Sequence, residues 1–303
     1  MTWAASVVRG EVTITPVRPD KTTTPKRSLP QVTLCAVDAR CPALAAQALA
    51  LSMAQVDFAR VVLFTHGWVP AEPLAGIEVI DIGPVRSGVD YSHFVLRGLP
   101  RHIHTSHVLV TQWDGFVLDA AAWRDEFLAW DYIGAPWPEQ PAATAVGNGG
   151  FSLRSQRLLK AGLDPGIEQE HPEDQMLCRH YRAWLEQQQG VRFAPLDVAR
   201  AFAFENAAVA TPTFGFHGPY HLPKALDEAT LHAWLQELPN EFFRSRDARR
   251  LARALLAARM PATASELLRR RQQAGQREPH TRMLSAVAAL MRPFFNAPPA
   301  VSP

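Results

Sequence analysis

The chain has 303 residues, of which 47% are hydrophobic and 20% are charged, and its formal net charge is +2. A chain of this length and composition can bury a real core, which argues against disorder over most of the sequence and favours one medium α/β domain with a smaller appendage. The near-balanced charge, without a dense basic stripe, argues against a nucleic-acid partner.

The first part of the chain predicts a flexible arm followed by a β-α-β unit. Residues 1–30 mix Arg, Lys, Thr and Pro without a continuous apolar core, which is typical of a mobile arm and not of a secretory signal. Apolar runs at residues 31–37 and 60–65 predict buried strands, and residues 43–56 carry apolar side chains at helical spacing.

The next elements extend this α/β pattern. Residues 77–82 and 107–112 predict two further strands, and residues 91–103 predict the helix between them. Strands that alternate with helices predict a mostly parallel, Rossmann-like sheet flanked by helices, with ligands outside the carboxyl ends of the strands. We assign this domain to residues 31–223.

Beyond residue 223 the sequence is rich in Ala, Leu, Arg and Glu. Three segments there predict helices from their spacing of apolar residues: residues 230–238, 246–259 and 262–274. We therefore expect a C-terminal helical appendage over residues 224–293, which could recruit a protein partner. The Pro-rich end, residues 294–303, predicts a disordered tail.

Cysteine usage and hydropathy indicate where the protein works. Three cysteines without a C-x-x-C pair are too few for a disulfide framework, so we expect a cytoplasmic protein. The longest apolar candidate, residues 43–56, is interrupted by Gln47 and Gln55 and is shorter than the roughly 20 residues that cross a bilayer. Any membrane association would be peripheral, at the inner face.

The first candidate site follows the predicted strand at residues 107–112. That strand runs into Asp114 and then Gly115, which permits a tight turn. A carboxylate at the ligand edge of the sheet can hold a hard cation such as Mg²⁺ or Mn²⁺, whose other ligands are phosphate oxygens and water. The alternative is that Asp114 only caps the turn.

The second candidate site is a glycine-rich segment. Asn148, Gly149, Gly150 and Phe151 form a turn in which exposed backbone amides can approach hydroxyl or phosphate groups, although such clusters more often mark ordinary loops. The nearby Trp137 could stack on a sugar face or simply pack the loop.

The third and fourth candidates are an acid pair and a late histidine. Glu173 and Asp174 follow Pro172, which predicts a helix start where acids complement the helix dipole. Either acid could also act as a general base toward an acceptor hydroxyl. His217 lies between glycines and aromatic residues, and a neutral imidazole there could ligate Mn²⁺ beside Asp114 or be merely structural.

Taken in order, these features resemble the nucleotide-sugar glycosyltransferases of the GT-A class, and most closely a bacterial family of uncharacterised proteins related to them. Gln112 to Asp114 is similar to their D-x-D metal motif, with Gln112 in the place of the first acid. The glycine segment followed by the acid pair resembles inverting β-1,3-type transferases, in which the second acid is the usual base. The similarity covers residues 31–223.

The resemblance implies a GT-A-like fold and a role for each matching residue. Asp114 and His217 would bind the metal, Asp174 would be the base with Glu173 beside it, and Trp137 and the glycine segment would line donor and acceptor. Nucleotide contacts would come from a further set of residues: Asp38, Arg40, Tyr91, Ser92, Gln112 and Trp113.

The implied activity is inverting, Mn²⁺- or Mg²⁺-assisted transfer of a sugar from a nucleotide diphosphate sugar to a hydroxyl of a bacterial glycan or glycolipid precursor, as in the synthesis of cell-surface polysaccharide. The alternative is a non-catalytic glycan- or nucleotide-binding module, in which Gln112 marks a lost metal site and the helical appendage recruits a partner. A helical-repeat scaffold is a third interpretation, which the small number of predicted helices disfavours.

Overall fold

The computed structural model describes the backbone of residues 2–8, 11–17, 26–206 and 212–295. The strands in these ranges are β1 (Thr2–Val8), β2 (Glu11–Val17), β3 (Arg27–Val37), β4 (Val56–Thr65), β5 (Glu78–Asp81), β6 (His107–Thr111), β7 (Gly115–Val117), β8 (Tyr132–Gly134), β9 (Phe151–Ser155), β10 (Ala203–Phe204) and β11 (Gly215–His217). The α-helices are α1 (Pro42–Gln55), α2 (Gly88–His93), α3 (Gln156–Ala161), α4 (Glu173–Gln175), α5 (Arg182–Gln188), α6 (Leu196–Phe202), α7 (Glu228–Glu237), α8 (Arg246–Ala257), α9 (Pro261–Gln273) and α10 (Pro279–Phe295).

A six-stranded sheet in the order β5-β4-β3-β6-β9-β8 forms the centre of the fold. The strands β5, β4, β3 and β6 are parallel, whereas β9 runs antiparallel to both β6 and β8. This confirms the predicted α/β class with a mostly parallel sheet flanked by helices. The antiparallel strand β9 was not predicted.

Alternate residues of the central strands pack against the two layers of helices. On β3, Leu34 belongs to a cluster with Ala45 and Leu49 of α1, while the neighbouring Cys35 belongs to a cluster with Val95 and Leu99 on the other face. Because successive side chains of a strand point to opposite faces, a continuous apolar run such as that of β3 requires cover on both sides.

Several predicted elements are found with shifted boundaries. The strand predicted at residues 31–37 begins earlier, at Arg27. The single helix predicted at residues 91–103 is instead α2, a π-helical turn (Phe94–Gly98) and a 3₁₀ turn (Leu99–Arg101). A proline at position 100 cannot donate the hydrogen bond of a continuing α-helix, which is consistent with the change in helix type.

A smaller sheet in the order β10-β11-β7 lies within the same compact unit and was not predicted. β10 is parallel to β11, which is antiparallel to β7. These strands have only two or three residues each, so no regular spacing of apolar residues can be recognised in their sequences. They nevertheless bring distant parts of the chain to the end of β6.

The chain divides into two compact units with a boundary between His217 and Gly218. The second unit contains α7 to α10, and its buried apolar residues include Leu231, Leu251 and Leu267. Helix α10 was not predicted. Residues 1, 9–10, 18–25, 207–211 and 296–303 lie outside the described part, and they include most of the predicted disordered tail and part of the predicted arm. Among the described helices, none is long and apolar enough to cross a membrane.

Candidate functional site

The carboxyl end of β6 carries the first group of candidate residues. Gln112, Trp113 and Asp114 connect β6 to Gly115, the first residue of β7. Asp114 is 7% exposed, and among the described residues its Oδ1 atom has no hydrogen-bond partner. A Cβ atom on Gly115 would lie 2.6 Å from the carbonyl oxygen of Phe216, so glycine allows β7 to approach β11 closely.

Strand register brings His217 and Glu205 to the same place. In the smaller sheet, His217 of β11 pairs with Gly115 of β7 and therefore lies beside Asp114. β10 runs parallel to β11, and Glu205 follows the last residue of β10. Two carboxylates from separate segments thus reach one imidazole ring.

The ring of His217 lies between these two carboxylates. Its Nε2 atom is 3.4 Å from Asp114 Oδ1 and 3.1 Å from Gln112 Oε1, and its Nδ1 atom is 3.4 Å from Glu205 Oε1. Burial alone lowers the pKa of His217, but the charges of Asp114 and Glu205 outweigh it and raise that pKa to about 10. Both carboxylates therefore favour the protonated form of this imidazole.

The glycine segment packs directly against this histidine. The backbone N–H of Gln112 donates to the carbonyl oxygen of Gly150 at 2.9 Å, which attaches the segment to the end of β6. A Cβ atom on Gly150 would lie 2.2 Å from His217 Nε2, so the ring occupies the space that a side chain would need. Asn148 has a positive φ of 25° and donates through Nδ2 to Glu205 Oε2 at 2.9 Å.

The acid pair, Glu173 and Asp174, also contacts the glycine segment. Asp174 is half-buried, and its Oδ2 atom accepts the backbone N–H of Gly149 at 3.0 Å while Oδ1 accepts that of Gln175 at 2.8 Å. Glu173, predicted as a catalytic acid beside Asp174, is 5% exposed and forms an ion pair with Arg154 at 2.9 Å. The structure therefore separates the two acids, with Asp174 the more accessible.

Arg154 was not predicted as a site residue, although its buried side chain contacts several residues around Glu173. Its side chain is 1% exposed, lies over the ring of Tyr132 and donates to Ser152 Oγ at 3.0 Å as well as to Glu173. Ser152 Oγ in turn donates to the carbonyl oxygen of Gly149 at 3.1 Å. The peptide units of Gly149 are thus held on one side by Asp174 and on the other by Ser152.

Phe151 has a different role from the predicted one. It is fully buried, and its ring centroid lies 5.4 Å from that of Phe202 and 6.0 Å from that of Phe214. This corrects the expectation that Phe151 lines the donor or acceptor, because β9 directs its side chain into the core.

Ser92 is also corrected. It is 1% exposed, its hydroxyl lies 2.9 Å from His171 Nδ1, and it accepts the backbone N–H of Glu173 at 3.3 Å. Ser92 therefore supports the segment that carries the acid pair and is not available to a nucleotide.

Asp38, at the carboxyl end of β3, lies near the edge occupied by Asp114. Its Oδ1 atom accepts the backbone N–H groups of Arg40 and Cys41, both at 2.7 Å. Burial raises the pKa of Asp38, and the negative charge of Asp114 adds to this increase. Arg40 is exposed. The contacts of Asp38 and Arg40 with a nucleotide remain predictions.

The remaining predicted residues surround this edge. Gln112 Nε2 donates to the hydroxyl of half-buried Tyr91 at 3.4 Å. Trp113 is half-buried and packs against the core cluster that contains Leu34 and Leu49. Trp137 is also half-buried, and its ring covers Gly147, where a Cβ atom would meet it at 2.0 Å. The ring of Trp137 therefore packs the loop, and its predicted contact with a sugar stays a prediction.

The donor set around Asp114 fits a divalent cation only in part. In the described ranges, no group of three or more His, Cys, Asp and Glu side chains is arranged to hold a metal ion. However, Asp114 Oδ1 and His217 Nδ1 are buried and have no hydrogen-bond partner in the part of the chain that the structure describes, and the amide oxygen of Gln112 lies 3.1 Å from His217 Nε2. One carboxylate and one imidazole suit Mn²⁺ when phosphate and water supply the other ligands.

Sequence comparison gives one family match. A family model described as "Protein of unknown function (DUF5672)" matches residues 77–217. This segment includes Asp114, the glycine segment, the acid pair and His217. No curated protein matches the chain.

Solved structures give distant matches. The mannosyltransferase PcManGT from Pyrobaculum calidifontis, in complex with GDP-Man and Mn²⁺, is 13% identical, with a TM-score of 0.36 over 91% of this chain and 87% of that one. The galactosyltransferase LgtC, in complex with donor and acceptor sugar analogues, is 13% identical, with a TM-score of 0.37 over 69% of this chain and 98% of that one. At these identities and TM-scores, neither structure establishes an activity or a ligand for this chain.

Proposed function

We propose that this chain transfers a sugar from a nucleotide diphosphate sugar to a hydroxyl of a bacterial glycan or glycolipid precursor, with inversion at the sugar carbon and assistance from Mn²⁺ or Mg²⁺. The observation that carries the proposal is a convergence at the glycine segment. Gly150 lies against His217, which faces Asp114, while Gly149 donates to Asp174. A candidate cation-binding pair and a candidate base are therefore both joined to one stretch of backbone, which is itself buried.

Asp174 is the residue we assign as general base. Two backbone N–H groups, from Gly149 and Gln175, fix its carboxylate and leave lone pairs for a further proton. As the acceptor oxygen attacks the sugar carbon, its proton moves to Asp174 and the bond from that carbon to the diphosphate oxygen breaks. Glu173 takes no part in this transfer, because Arg154 holds it in the interior.

Asp114 and His217 are the residues that would hold the metal. When bound, Mn²⁺ or Mg²⁺ supplies positive charge that stabilises the leaving diphosphate. The side chain of Gln112 faces the same ring nitrogen of His217, so it fills the position of the missing first acid without adding a charge. We place the nucleotide beside Asp38, Arg40 and Tyr91.

The test compares three variants of the purified chain. A nucleotide-sugar donor is first identified by thermal stabilisation in the presence of Mn²⁺. With that donor, Asp174→Asn should lower the rate of transfer by about 10²- to 10⁴-fold, because the base is lost. Asp114→Ala should remove the dependence on Mn²⁺. Asp57→Asn, on an exposed part of β4, serves as the control. Unchanged turnover in both site variants would refute the proposal.

A second function is favoured by two observations. Gln112 stands in the place of an acid and lies 3.1 Å from His217, and α10 exposes a row of apolar side chains: Met283, Val287, Leu290 and Phe294. Both fit a non-catalytic glycan- or nucleotide-binding module whose helical part recruits a protein partner. Nucleotide diphosphate binding that is indifferent to Mn²⁺ and Mg²⁺, with no transfer from any donor, would favour this module.

A further inference from the structure

We infer that Glu205 is a positioning residue, whose carboxylate fixes the ring of His217 so that Nε2 faces Asp114 and can accept a divalent cation. This inference rests on the proposed function, because it concerns the metal pair of that site. Glu205 is absent from the motifs that the sequence suggested, because the strand before it, β10, has only two residues and shows no recognisable pattern.

The argument begins with the two ring nitrogens of His217. Nδ1 lies 3.4 Å from Glu205 Oε1, while Nε2 lies 3.4 Å from Asp114 Oδ1. In a metal-bound imidazole, one nitrogen carries the lone pair that ligates the ion and the other carries a proton. A carboxylate beside Nδ1 favours the proton there and leaves Nε2 for the cation, which is a common arrangement around metal-ligating histidines.

The same geometry excludes Glu205 as a ligand of that ion. Asp114 and Glu205 approach the ring through different nitrogen atoms, whose bonding directions in the ring plane diverge widely. A cation held by Nε2 and Asp114 is therefore remote from Glu205 Oε1. The effect of Glu205 on the cation has to pass through the ring.

Glu205 is itself held in place by two amide groups. Asn148 Nδ2 donates to Oε2 at 2.9 Å, and Asn206 Nδ2 donates to the same atom at 2.7 Å. Both bonds are made to Oε2, whereas Oε1 is the atom that lies 3.4 Å from His217 Nδ1. Since Asn148 belongs to the glycine segment, Glu205 also joins that segment to the histidine.

Mn²⁺ binding, measured without any substrate, tests this role. The free ion gives an electron paramagnetic resonance signal that disappears on binding, so affinities can be compared for the wild type, Glu205→Gln and Glu205→Ala. We expect Glu205→Gln to weaken Mn²⁺ binding by about 10- to 100-fold and Glu205→Ala by at least as much. Glu72→Gln, at an exposed position, should bind Mn²⁺ as the wild type does.

A spectroscopic measurement separates positioning from a general loss of structure. Pulsed electron paramagnetic resonance detects the coupling of bound Mn²⁺ to a directly ligated imidazole nitrogen. The wild type and Glu72→Gln should show this coupling. His217→Ala should lose it, and Glu205→Ala, at Mn²⁺ concentrations that load the site, should show it in a smaller fraction of bound ions.

The outcomes distinguish this inference from the proposed function. If Asp114→Ala and His217→Ala lose Mn²⁺ while both Glu205 variants keep wild-type affinity and nitrogen coupling, Glu205 has no positioning role and the proposed metal site stands. If the wild type and Asp114→Ala bind Mn²⁺ equally weakly, the metal part of the proposed function fails, and the role of Glu205 fails with it.

Discussion

The backbone of Gly150 lies directly against the imidazole ring of His217. The ring of His217 fills the space in which any other residue would place its Cβ atom. Since protein interiors are closely packed, an added methyl group has to displace the ring or the segment. The position of His217 Nε2 relative to Asp114 therefore depends on the absence of one side chain.

We predict that Gly150→Ala weakens Mn²⁺ binding by at least tenfold, because the new methyl group would lie 2.2 Å from His217 Nε2. Isothermal titration calorimetry would give the affinity. Gly162→Ala is a suitable control, since its Cβ atom would have its nearest neighbours at 3.4 Å, an ordinary contact distance. Equal affinities in the two variants would mean that the ring has room to move without leaving Asp114.

The buried ion pair of Arg154 and Glu173 predicts a large effect on stability. Glu173→Ala should lower the free energy of unfolding by about 3–5 kcal/mol, because it leaves the guanidinium of Arg154 buried without its counter-charge. Replacing both residues by leucine should recover part of that loss. Urea unfolding measures all three proteins. A double variant less stable than Glu173→Ala would indicate that the other contacts of Arg154 matter more than its charge.

At the residue scale, the sequence predicts which segments meet but not how each side chain is directed. Asp114, Asp174, Gly150 and His217 do converge. Phe151 was expected at the site because the resemblance implied that the glycine segment lines donor and acceptor, whereas the start of β9 turns its ring into the core. The contact between Glu205 and His217 depends on strand pairing between separate segments, and no local pattern encodes it.

At the element scale, β6 connects the core to the site, and its first residue carries a titratable group. His107 is 7% exposed, and burial lowers its pKa. Its Nε2 atom lies 3.3 Å from the carbonyl oxygen of Trp130, and its Nδ1 atom lies 3.0 Å from Ser106 Oγ. The neutral ring is thus hydrogen-bonded within the fold.

We predict that His107 makes the protein less stable as the pH falls below about 6.5, the usual pKa of an unfolded histidine. In that range the unfolded chain takes up a proton that the folded chain binds only at lower pH, so the free energy of unfolding falls by up to about 1.4 kcal/mol per pH unit. Above that range the stability is fully present. Urea unfolding across this range should give a smaller slope for His107→Gln than for the wild type, and equal slopes would contradict the prediction.

The long elements were predictable because each is long enough to show either a regular spacing of apolar residues or a continuous apolar run. β3, β4, β6 and α1 are examples, with errors of a few residues at their ends. The strands β7, β10 and β11 are too short for any pattern, and they form only because tertiary packing holds them together. The site depends on these short strands as much as on the predicted ones.

At the scale of the whole molecule, all candidate site residues fall within the first compact unit, which ends at His217. His217 is the last residue of β11 and therefore the last site residue along the chain. A cation bound between Asp114 and His217 would therefore connect the end of β6 to the final strand of this unit, and these segments are about a hundred residues apart.

Because such a cation binds the folded chain only, it should stabilise the protein as a whole. At about 100 times its dissociation constant, Mn²⁺ should add about 2.7 kcal/mol to the free energy of unfolding and raise the melting temperature by about 5–10 °C. Differential scanning calorimetry with and without Mn²⁺ measures this shift. Asp114→Ala and His217→Ala should each lose it, whereas Asp57→Asn should keep it. The same shift in all four proteins would show that Mn²⁺ binds elsewhere, since the connection between β6 and β11 requires both ligands.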